Sequence, residues 1–364
     1  MLQGNRQTWI DYARGVAIIL VLYRHVFEGI KAAGLDVQAY MPLEHANILF
    51  FSFRMPLFFV VSGIFVAGSL QKRGLSPFIG NKARTILYPY FIWGFLQITL
   101  QIILSGYVNA QRTPADYGLL FYLPRGVEQF WYLYALFNVS VCYAFMKVKA
   151  GLNFWQNAGL GLGLYYASAV IGQHQINIGF LADIMHYYIF YAIGDGIGRF
   201  IRDKENLSVL QSWKLMALLI IPFAVTQWYF LLENLHHETK FYDYVEYHQP
   251  IRFLIIALTG CAWVMSLAFL LQRYHTMQWL HQLGRHSLYI YVAHVMVLAA
   301  TRIIMVRFFG IEHVPTLLLA GISMGLIVPV LLYKLSVRYK FTWLFSLEKK
   351  ETIAPAEQQK YLKG

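Results

Sequence analysis

The chain has 364 residues, of which 58% are hydrophobic and only 13% charged, whereas soluble domains carry about 25% charged residues. An excess of 30 Lys and Arg over 18 Asp and Glu gives a formal charge of +12, but these basic residues lie between long apolar runs rather than on one patch. Composition therefore excludes an ordinary soluble enzyme, a disordered chain and a nucleic-acid partner, and it predicts an integral membrane protein.

Ten stretches, five of them nearly charge-free and five weaker or interrupted by polar residues, are long enough to cross about 30 Å of hydrocarbon. In chain order they cover residues 10–29, 47–70, 85–111, 129–146, 154–172, 180–200, 215–232, 253–272, 284–306 and 314–333. We expect the first stretch to remain as a helix, because charged residues interrupt it and no clean signal-peptide cleavage site follows. The sequence thus predicts an all-α integral membrane bundle of about ten transmembrane helices, with any chemistry among the helices or on short loops.

The basic residues also predict the orientation of the bundle. If the N-terminus is cytoplasmic and the sides alternate, most of the 30 basic residues fall in cytoplasmic segments, as the positive-inside rule requires. We therefore predict a multi-pass protein of the inner (plasma) membrane with both termini cytoplasmic. Residues 1–340 would form the transmembrane domain and residues 341–364 a charged cytoplasmic tail.

The first stretch is unusually polar, since it contains Asp11, Arg14, Arg24, His25 and Glu28. A charge in a membrane helix costs a few kcal/mol or more and usually faces a cavity or a partner. Arg14 and His25 share one helix face and lie about 16.5 Å apart along the axis. The pattern predicts either a polar stripe from a cytoplasmic cationic site to an outer imidazole, or two side chains that snorkel to opposite headgroup layers.

The second stretch contains Arg54, Pro56 and the pair Ser62 and Gly63. Pro56 breaks the hydrogen bonding of the helix, because proline has no backbone N–H to donate. Ser62 and Gly63 permit close approach of a neighbouring helix or of a ligand. Arg54, near the outer end, is not expected in a plain membrane span.

Five segments, in order, resemble motifs of the membrane-bound acyltransferase 3 family. They are Ile-Asp-Tyr-Ala-Arg-Gly at 10–15 with His25 eleven positions after Arg14; the Met-Pro-Leu-Phe-Phe and Ser-Gly pattern within 53–65; Arg84 before Tyr88-Pro89-Tyr90; Phe-Trp-Tyr-Leu at 130–133; and Leu-Gly-Arg-His-Ser-Leu-Tyr-Ile-Tyr at 283–291 followed by His294. Members of the family often carry two arginines three apart before the third helix. Here Asn81 stands at the first of these positions, beside Lys82, and only Arg84 matches.

The resemblance implies an acetyl-CoA-dependent O-acyltransferase that acts in exopolysaccharide biosynthesis, on a hydroxyl of an extracytoplasmic or exported polysaccharide or its lipid-linked precursor. It implies no bound cofactor, with acetyl-CoA as co-substrate and with membrane lipid and a glycan or lipid-linked saccharide as partners. The implied catalytic residues are His25, Arg14 and Asp11. Those implied to bind donor or substrate are Arg84, Arg54, Ser62, Trp131, Ser287, Tyr291 and His294.

The chemistry of acyl transfer suits these residue types. A hydroxyl that attacks a thioester needs a base near neutral pH, for which histidine is the usual candidate. Positive charge is needed for the CoA phosphates and the developing oxyanion, and the cytoplasmic side offers Lys72, Arg73, Lys82, Arg84 and Arg14. We expect the pantetheine arm to run along the Arg14–His25 stripe. Asp11 would either orient Arg14 or serve as an acid at the helix start.

Three further groups of residues have more than one interpretation. Tyr291 and His294 share a helix face, so His294 is either a second polar point of the cavity or a core histidine. The spacing of Asp183 and His186 favours a structural hydrogen bond. The predicted outer loop 233–248 is rich in histidine, carboxylate and tyrosine, which suits an interfacial aromatic belt or stacking on sugars; we predict no metal there, because adjacent His236 and His237 lack helical ligand spacing.

The two cysteines and the polar stripe bear on other protein classes. Cys142 and Cys261 both lie in apolar runs, which excludes a disulfide scaffold and a cysteine-based zinc site. A polar stripe within a bundle also describes a permeation path, so a transporter of a glycan or lipid-linked glycan is the alternative function. No inverted repeat is visible between the two halves, which favours the enzyme. A non-catalytic scaffold would leave the charges of the first helix unexplained.

Overall fold

The computed structural model describes residues 7–108, 110–237 and 242–347. These residues form helices joined by short turns, without a β-strand among them, which confirms the all-α prediction. The α-helices are α1 (Trp9–Ala32), α2 (Met41–Leu49), α3 (Phe51–Ile64), α4 (Val66–Arg73), α5 (Leu75–Lys82), α6 (Tyr88–Ile103), α7 (Leu119–Tyr122), α8 (Trp131–Val148), α9 (Phe154–Gln173), α10 (Leu181–Arg202), α11 (Leu207–Leu210), α12 (Trp213–His237), α13 (Tyr244–His248), α14 (Pro250–Tyr274), α15 (Gln278–Arg285), α16 (Ser287–Ile303) and α17 (Val314–Arg338).

Six helical stretches of the described residues are long and apolar enough to cross a membrane. They are Gln38–Arg73, Leu75–Ile103, Trp213–His237, Pro250–Tyr274, Ser287–Phe308 and Val314–Arg338. Helices α1, α8, α9 and α10 coincide with four further predicted spans and have 18 to 24 residues each. The count of ten crossings and the cytoplasmic termini stay predictions.

Pro56 and the end of the third stretch show how the predicted spans appear in the structure. Pro56 lies inside the continuous helix α3, which Phe50 and Phe65 bound. Proline at this position removes only the hydrogen bond to the carbonyl of Ser52, which the neighbouring turns of α3 tolerate. The third stretch does not extend to residue 111, because α6 ends at Ile103 and a turn follows in which the Tyr107 N–H donates to the Leu104 carbonyl (2.8 Å).

Close helix contacts at glycines position α1 and α3. A Cβ on Gly284 of α15 would lie 1.6 Å from the Asp11 carbonyl oxygen of α1, so any other residue there would push the two helices apart. A Cβ on Gly63 of α3 would lie 2.1 Å from the Tyr191 carbonyl oxygen of α10. Such contacts between small residues hold membrane helices at short distance, and they fix the faces of α1 and α3 that carry the predicted site residues.

The chain after α17 packs back onto the bundle through Phe345. This side chain is buried and its ring centroid lies 5.3 Å from that of Trp93, whose Nε1–H donates to the Leu344 carbonyl (2.7 Å). The first residues of the predicted tail 341–364 are therefore attached to the transmembrane domain. Residues 348–364 of that tail lie outside the described residues.

Candidate active site

A cavity of about 300 Å³ lies between α1, α3 and α5. Its lining consists of Ile10, Asp11, Arg14, Val61, Ser62, Phe65 and Lys82, and we call it the Arg14 cavity. The structure thus brings together three residues that the sequence singled out for the site, Asp11, Arg14 and Ser62. Gly63, next to Ser62, faces α10 rather than the cavity, so the serine–glycine pair serves both the cavity and helix packing.

The carboxylate of Asp11 is buried and lies against a histidine from another helix. Its Oδ2 atom is 3.4 Å from Nε2 of His281 in α15, and the Tyr12 ring lies 5.4 Å from the His281 ring. The sequence did not point to His281, which is remote in the chain from both. The close approach of α1 and α15 at Gly284 explains this contact.

The second cation of the cavity is Lys82 and not Arg84. Arg84 is exposed and is not part of the lining, whereas Lys82 lines the cavity and lies within the electrostatic range of Arg14 and Arg73. Arg84 lies within a π-helical turn over Ala83–Leu87 that begins directly after Lys82. The resemblance implied that Arg84 binds the donor, and in the structure this residue lies outside the Arg14 cavity.

His25 lies against His294 of α16, with ring centroids 5.1 Å apart. His294 is fully buried, and its Nδ1 lies 2.7 Å from the Tyr291 carbonyl oxygen. Because a carbonyl can only accept, Nδ1 carries the proton and Nε2 holds a free lone pair. Nε2 is buried and has no hydrogen-bond partner among the described residues. The two histidines that the sequence proposed for the site are thus in contact.

A cluster of charged and aromatic side chains surrounds the His25 end of α1. Arg54 is buried and donates from Nη1 to the Leu20 carbonyl (3.2 Å) and to Oδ1 of Asn47 (3.4 Å). Arg24 stacks over the Phe51 ring at 4.6 Å from its centroid. Arg54 of α3 therefore bonds to the backbone of α1 in a polar layer next to His25. These bonds explain why an arginine is present in this membrane span.

Aromatic rings lie along the route between the Arg14 cavity and His25. Arg14 acts electrostatically on the Tyr132 hydroxyl. The Tyr132 ring is 5.2 Å from that of Tyr291, which is 5.7 Å from that of His294. The Tyr291 hydroxyl donates a hydrogen bond to the Gln129 carbonyl. The two polar sites are therefore linked through packed side chains.

The remaining predicted residues lie in different surroundings. Ser287 is buried at the first turn of α16. Trp131, at the start of α8, lies beneath Arg125, with the guanidinium carbon 4.4 Å from the ring centroid. Trp131 therefore belongs to a second polar region and not to the Arg14 cavity.

This second region is a smaller cavity, of about 120 Å³, formed by the α7–α8 connection, α9, α10 and α13. Its polar lining residues are Arg125, Ser168, Asn177, His186 and Tyr247, and we call it the Arg125 pocket. Arg125 Nε donates to Oδ1 of the buried Asp183 at 2.7 Å. The favoured hydrogen bond between Asp183 and His186 is wrong, because Asp183 faces Arg125 on the neighbouring segment while His186 faces α13.

The acidic residue in contact with His186 is Glu246 of α13. His186 Nε2 lies 3.5 Å from Glu246 Oε1, and both side chains are buried. Burial raises the pKa of Glu246 to about 7, with Asp243 and Asp183 acting in the same direction and Arg125 and Arg24 opposing it. The sequence showed Glu246 only as one carboxylate of the loop 233–248. A helix of five residues such as α13 is too short for its sequence pattern to predict that Glu246 is buried.

The described part of loop 233–248 stacks mainly on itself. Tyr244 lies between two histidine rings, with centroids 3.4 Å from His237 and 4.6 Å from His248. Both faces of Tyr244 are occupied, so it is not available for stacking on a sugar. Residues 238–241 of this loop lie outside the described residues.

Residues 7–334 match the family described as "Acyltransferase domain". The chain is 22% identical to the nodulation protein NolL of Mesorhizobium japonicum over 192 residues, which cover 52% of this chain and 48% of that protein. It is 26% identical to NolL of Sinorhizobium fredii over 204 residues, which cover 56% of this chain and 52% of that protein. No solved structure is significantly similar.

The family match covers α1 to α17, including both cavities and the His25–His294 contact. The chain spans about half the length of the curated relatives it matches, so their full activities do not transfer with the similarity. The match to the family, together with the six apolar helices, gives the conclusion: the chain belongs to the membrane-bound acyltransferase 3 family and is a multi-pass membrane protein.

Proposed function

We propose that the protein is an O-acetyltransferase of the inner membrane. It moves acetyl from cytosolic acetyl-CoA to a hydroxyl of an extracytoplasmic or exported polysaccharide or of its lipid-linked precursor. The observation that carries this proposal is the pair of polar sites at opposite ends of α1, the Arg14 cavity and the His25–His294 contact, within a chain of this family.

The Arg14 cavity suits the donor. Arg14 and Lys82 are two cations against the single carboxylate of Asp11 in the lining, and cations of this kind bind phosphate oxygens through charge-assisted hydrogen bonds. The hydroxyl of Ser62 adds a neutral donor. A phosphate-bearing part of acetyl-CoA held here would direct the pantetheine arm along α1 toward His25.

His25 is proposed as the general base. It removes the proton from the acceptor hydroxyl while the oxygen attacks the thioester carbonyl carbon. The carbon–sulfur bond then breaks, the sulfur takes the proton from His25, and the products are the O-acetyl ester and free CoA. His294 supports this role, because its Nε2 lone pair can accept a hydrogen bond in the same buried space. The nearby charges of Arg24 and Arg54 favour an oxyanion at this end of α1.

The test compares surface polysaccharide from cells with the intact gene, a deletion, and His25→Ala expressed at a matched level. The readout is the NMR signal of O-acetyl groups. We expect loss of this signal in both the deletion and the variant. Full acetylation with His25→Ala would reject the histidine base while keeping the enzyme. Unchanged acetylation in the deletion, with less polymer exported, would reject the acetyltransferase and favour a transporter.

A further inference from the structure

We propose that the Arg125 pocket binds one uncharged saccharide unit of the acceptor and presents it toward the His25 end of α1. This inference rests on the proposed acetyltransferase function and identifies where the acceptor binds. The pocket is separate from the Arg14 cavity, with which it shares no lining residue.

An unsatisfied buried group points to a polar ligand in this pocket. His186 is only 4% exposed and lines the pocket. Its Nε2 lies 3.5 Å from Glu246 Oε1 but makes no hydrogen bond among the described residues. A buried polar atom that lacks a hydrogen bond costs about 1–3 kcal/mol, which a hydrogen bond to a ligand in the pocket would offset. A ligand hydroxyl, which can both donate and accept, would satisfy this nitrogen in either tautomer.

The charges around the pocket favour a neutral ligand. Arg125, its cation, is matched by the buried carboxylate of Asp183 at 2.7 Å. Glu246 is not a lining residue but contacts His186, so an added anionic group would meet a second acid nearby. The Arg14 cavity has the opposite character, with two cations in its lining. Hydroxyl groups are the polar groups that a charge-balanced pocket binds at the lowest desolvation cost.

The shape of the pocket suits one ring-sized unit. Its volume is about 120 Å³, which is too small for a lipid tail or an oligosaccharide. Tyr247 forms one side and is seated against Gly172, where a Cβ would lie 2.4 Å from the tyrosine ring. An aromatic face next to polar groups suits a ligand with one apolar and one polar side, as a sugar ring has.

The pocket lies at the His25 end of the bundle. Arg24, the residue before His25, is within electrostatic range of both Glu246 and Arg125. Arg14 lies about 15 Å further along α1. A saccharide in the Arg125 pocket therefore approaches the proposed base from the side opposite to the donor cavity.

The test uses the purified full chain in detergent, acetyl-CoA, and polysaccharide isolated from the deletion strain as the acceptor. Ala182, half-buried in the pocket lining, is replaced by leucine to fill the space. The matched control is Ala167→Leu, which makes the same change at a half-buried position of α9 outside the lining. Ala182→Val is a milder filling variant in case leucine prevents folding.

We expect Ala182→Leu to raise the KM for polysaccharide by about tenfold or more, as overfilling a packed site does. The KM for acetyl-CoA should stay within about twofold of wild type, because the donor cavity is untouched. Ala167→Leu should change neither constant, and Ala182→Val should raise only the polysaccharide KM, by a smaller factor. An unchanged polysaccharide KM in both Ala182 variants overturns the pocket assignment while the enzyme stands. If the wild type itself transfers no acetyl group, the proposed function fails instead.

Discussion

The Arg14 cavity and the Arg125 pocket lie toward opposite ends of α1 and are built on different electrostatic principles. In the Arg14 cavity, Arg14 and Lys82 exceed the one carboxylate of the lining. In the Arg125 pocket, Arg125 is paired with Asp183, and His186 lies 3.5 Å from Glu246 without a hydrogen bond from its Nε2 atom. An excess of positive charge suits an anionic donor, whereas internal pairing suits a neutral acceptor. The two cavities therefore differ in charge as well as in position, as the proposed anionic donor and neutral acceptor require.

The largest expected effect comes from removing a cation of the Arg14 cavity. Arg14→Gln keeps a polar side chain but loses the charge, and we expect kcat/KM for acetyl-CoA to fall by about tenfold to a hundredfold, since hydrogen bonds to charged groups contribute about 1.5–3 kcal/mol. Initial rates at varied acetyl-CoA concentration measure this.

The matched control for this prediction is Arg84→Gln, because Arg84 is exposed outside the cavity. Exposed charges contribute at most about 1 kcal/mol, so its effect should be several-fold at most. Lys82→Gln should resemble Arg14→Gln. If Arg84→Gln is as harmful as Lys82→Gln, the donor does not bind where the cavity lies.

The second prediction concerns pH and the Arg125 pocket. The pKa of Glu246 is raised from 4.5 to about 7, chiefly by burial, so the folded state favours the protonated carboxyl. This contribution to stability is complete below pH 4.5 and is lost as the pH rises through about 7. Glu246→Gln stays neutral, so its Tm should exceed that of the wild type by a margin that grows across this window.

The upper limit of this effect is on the order of 3 kcal/mol, the free energy of the pKa difference. Thermal unfolding of both proteins in detergent, at intervals from pH 4.5 to 8, measures it. The groups that act on Glu246 are Arg125, Asp243, Arg24 and Asp183, with His186 in contact. A Tm difference that does not change with pH would mean that Glu246 does not titrate in this window.

The residues of α1 show how much of the site the sequence could predict. Helical periodicity placed Arg14 and His25 on one face, and motif resemblance singled out Ser62 and His294; the structure puts Arg14 and Ser62 in one cavity and His25 against His294. These features depend on local spacing or on short motifs, which a sequence displays directly. The all-α class followed from apolar runs for the same reason.

The features that the sequence could not predict depend on local irregularity or on remote contacts. Lys82, which the sequence offered beside Arg84 as a cytoplasmic cation, lines the cavity, whereas Arg84 is exposed in the π-helical turn that follows, and no residue pattern marked that turn. Arg125 and Asp183 are 58 positions apart in the chain, so their pairing depends on how α10 packs beside the segment that precedes α8. A three-residue spacing suggested that Asp183 and His186 bond to each other. Tertiary packing instead places Asp183 against Arg125 and His186 against Glu246.

The third prediction breaks one of these pairs. Asp183→Asn removes the carboxylate that neutralises Arg125 and should lower the free energy of unfolding by about 1–2 kcal/mol, less than for a fully buried pair because the Arg125 side chain is 44% exposed. Denaturant unfolding in detergent measures the change. The pair of Lys31 and Glu44 provides the control, because its cation is as exposed as Arg125 but its carboxylate is 13% rather than 1% exposed: Glu44→Gln should cost about 0–1 kcal/mol. Equal losses would mean that burial of Asp183 adds nothing.

The smallest expected effect concerns the aromatic route that joins the two regions. Tyr291→Phe keeps the ring that packs on Tyr132 and His294 but removes the hydroxyl that donates to the Gln129 carbonyl. We expect a loss of about 1 kcal/mol in stability and a several-fold fall in kcat, with both KM values nearly unchanged, because neither cavity loses a lining residue. Tyr132→Phe is the control with the same chemical change one ring nearer to Arg14. If Tyr291→Phe raises the KM for acetyl-CoA instead, Tyr291 contacts the donor, and the donor site extends from the Arg14 cavity as far as His294.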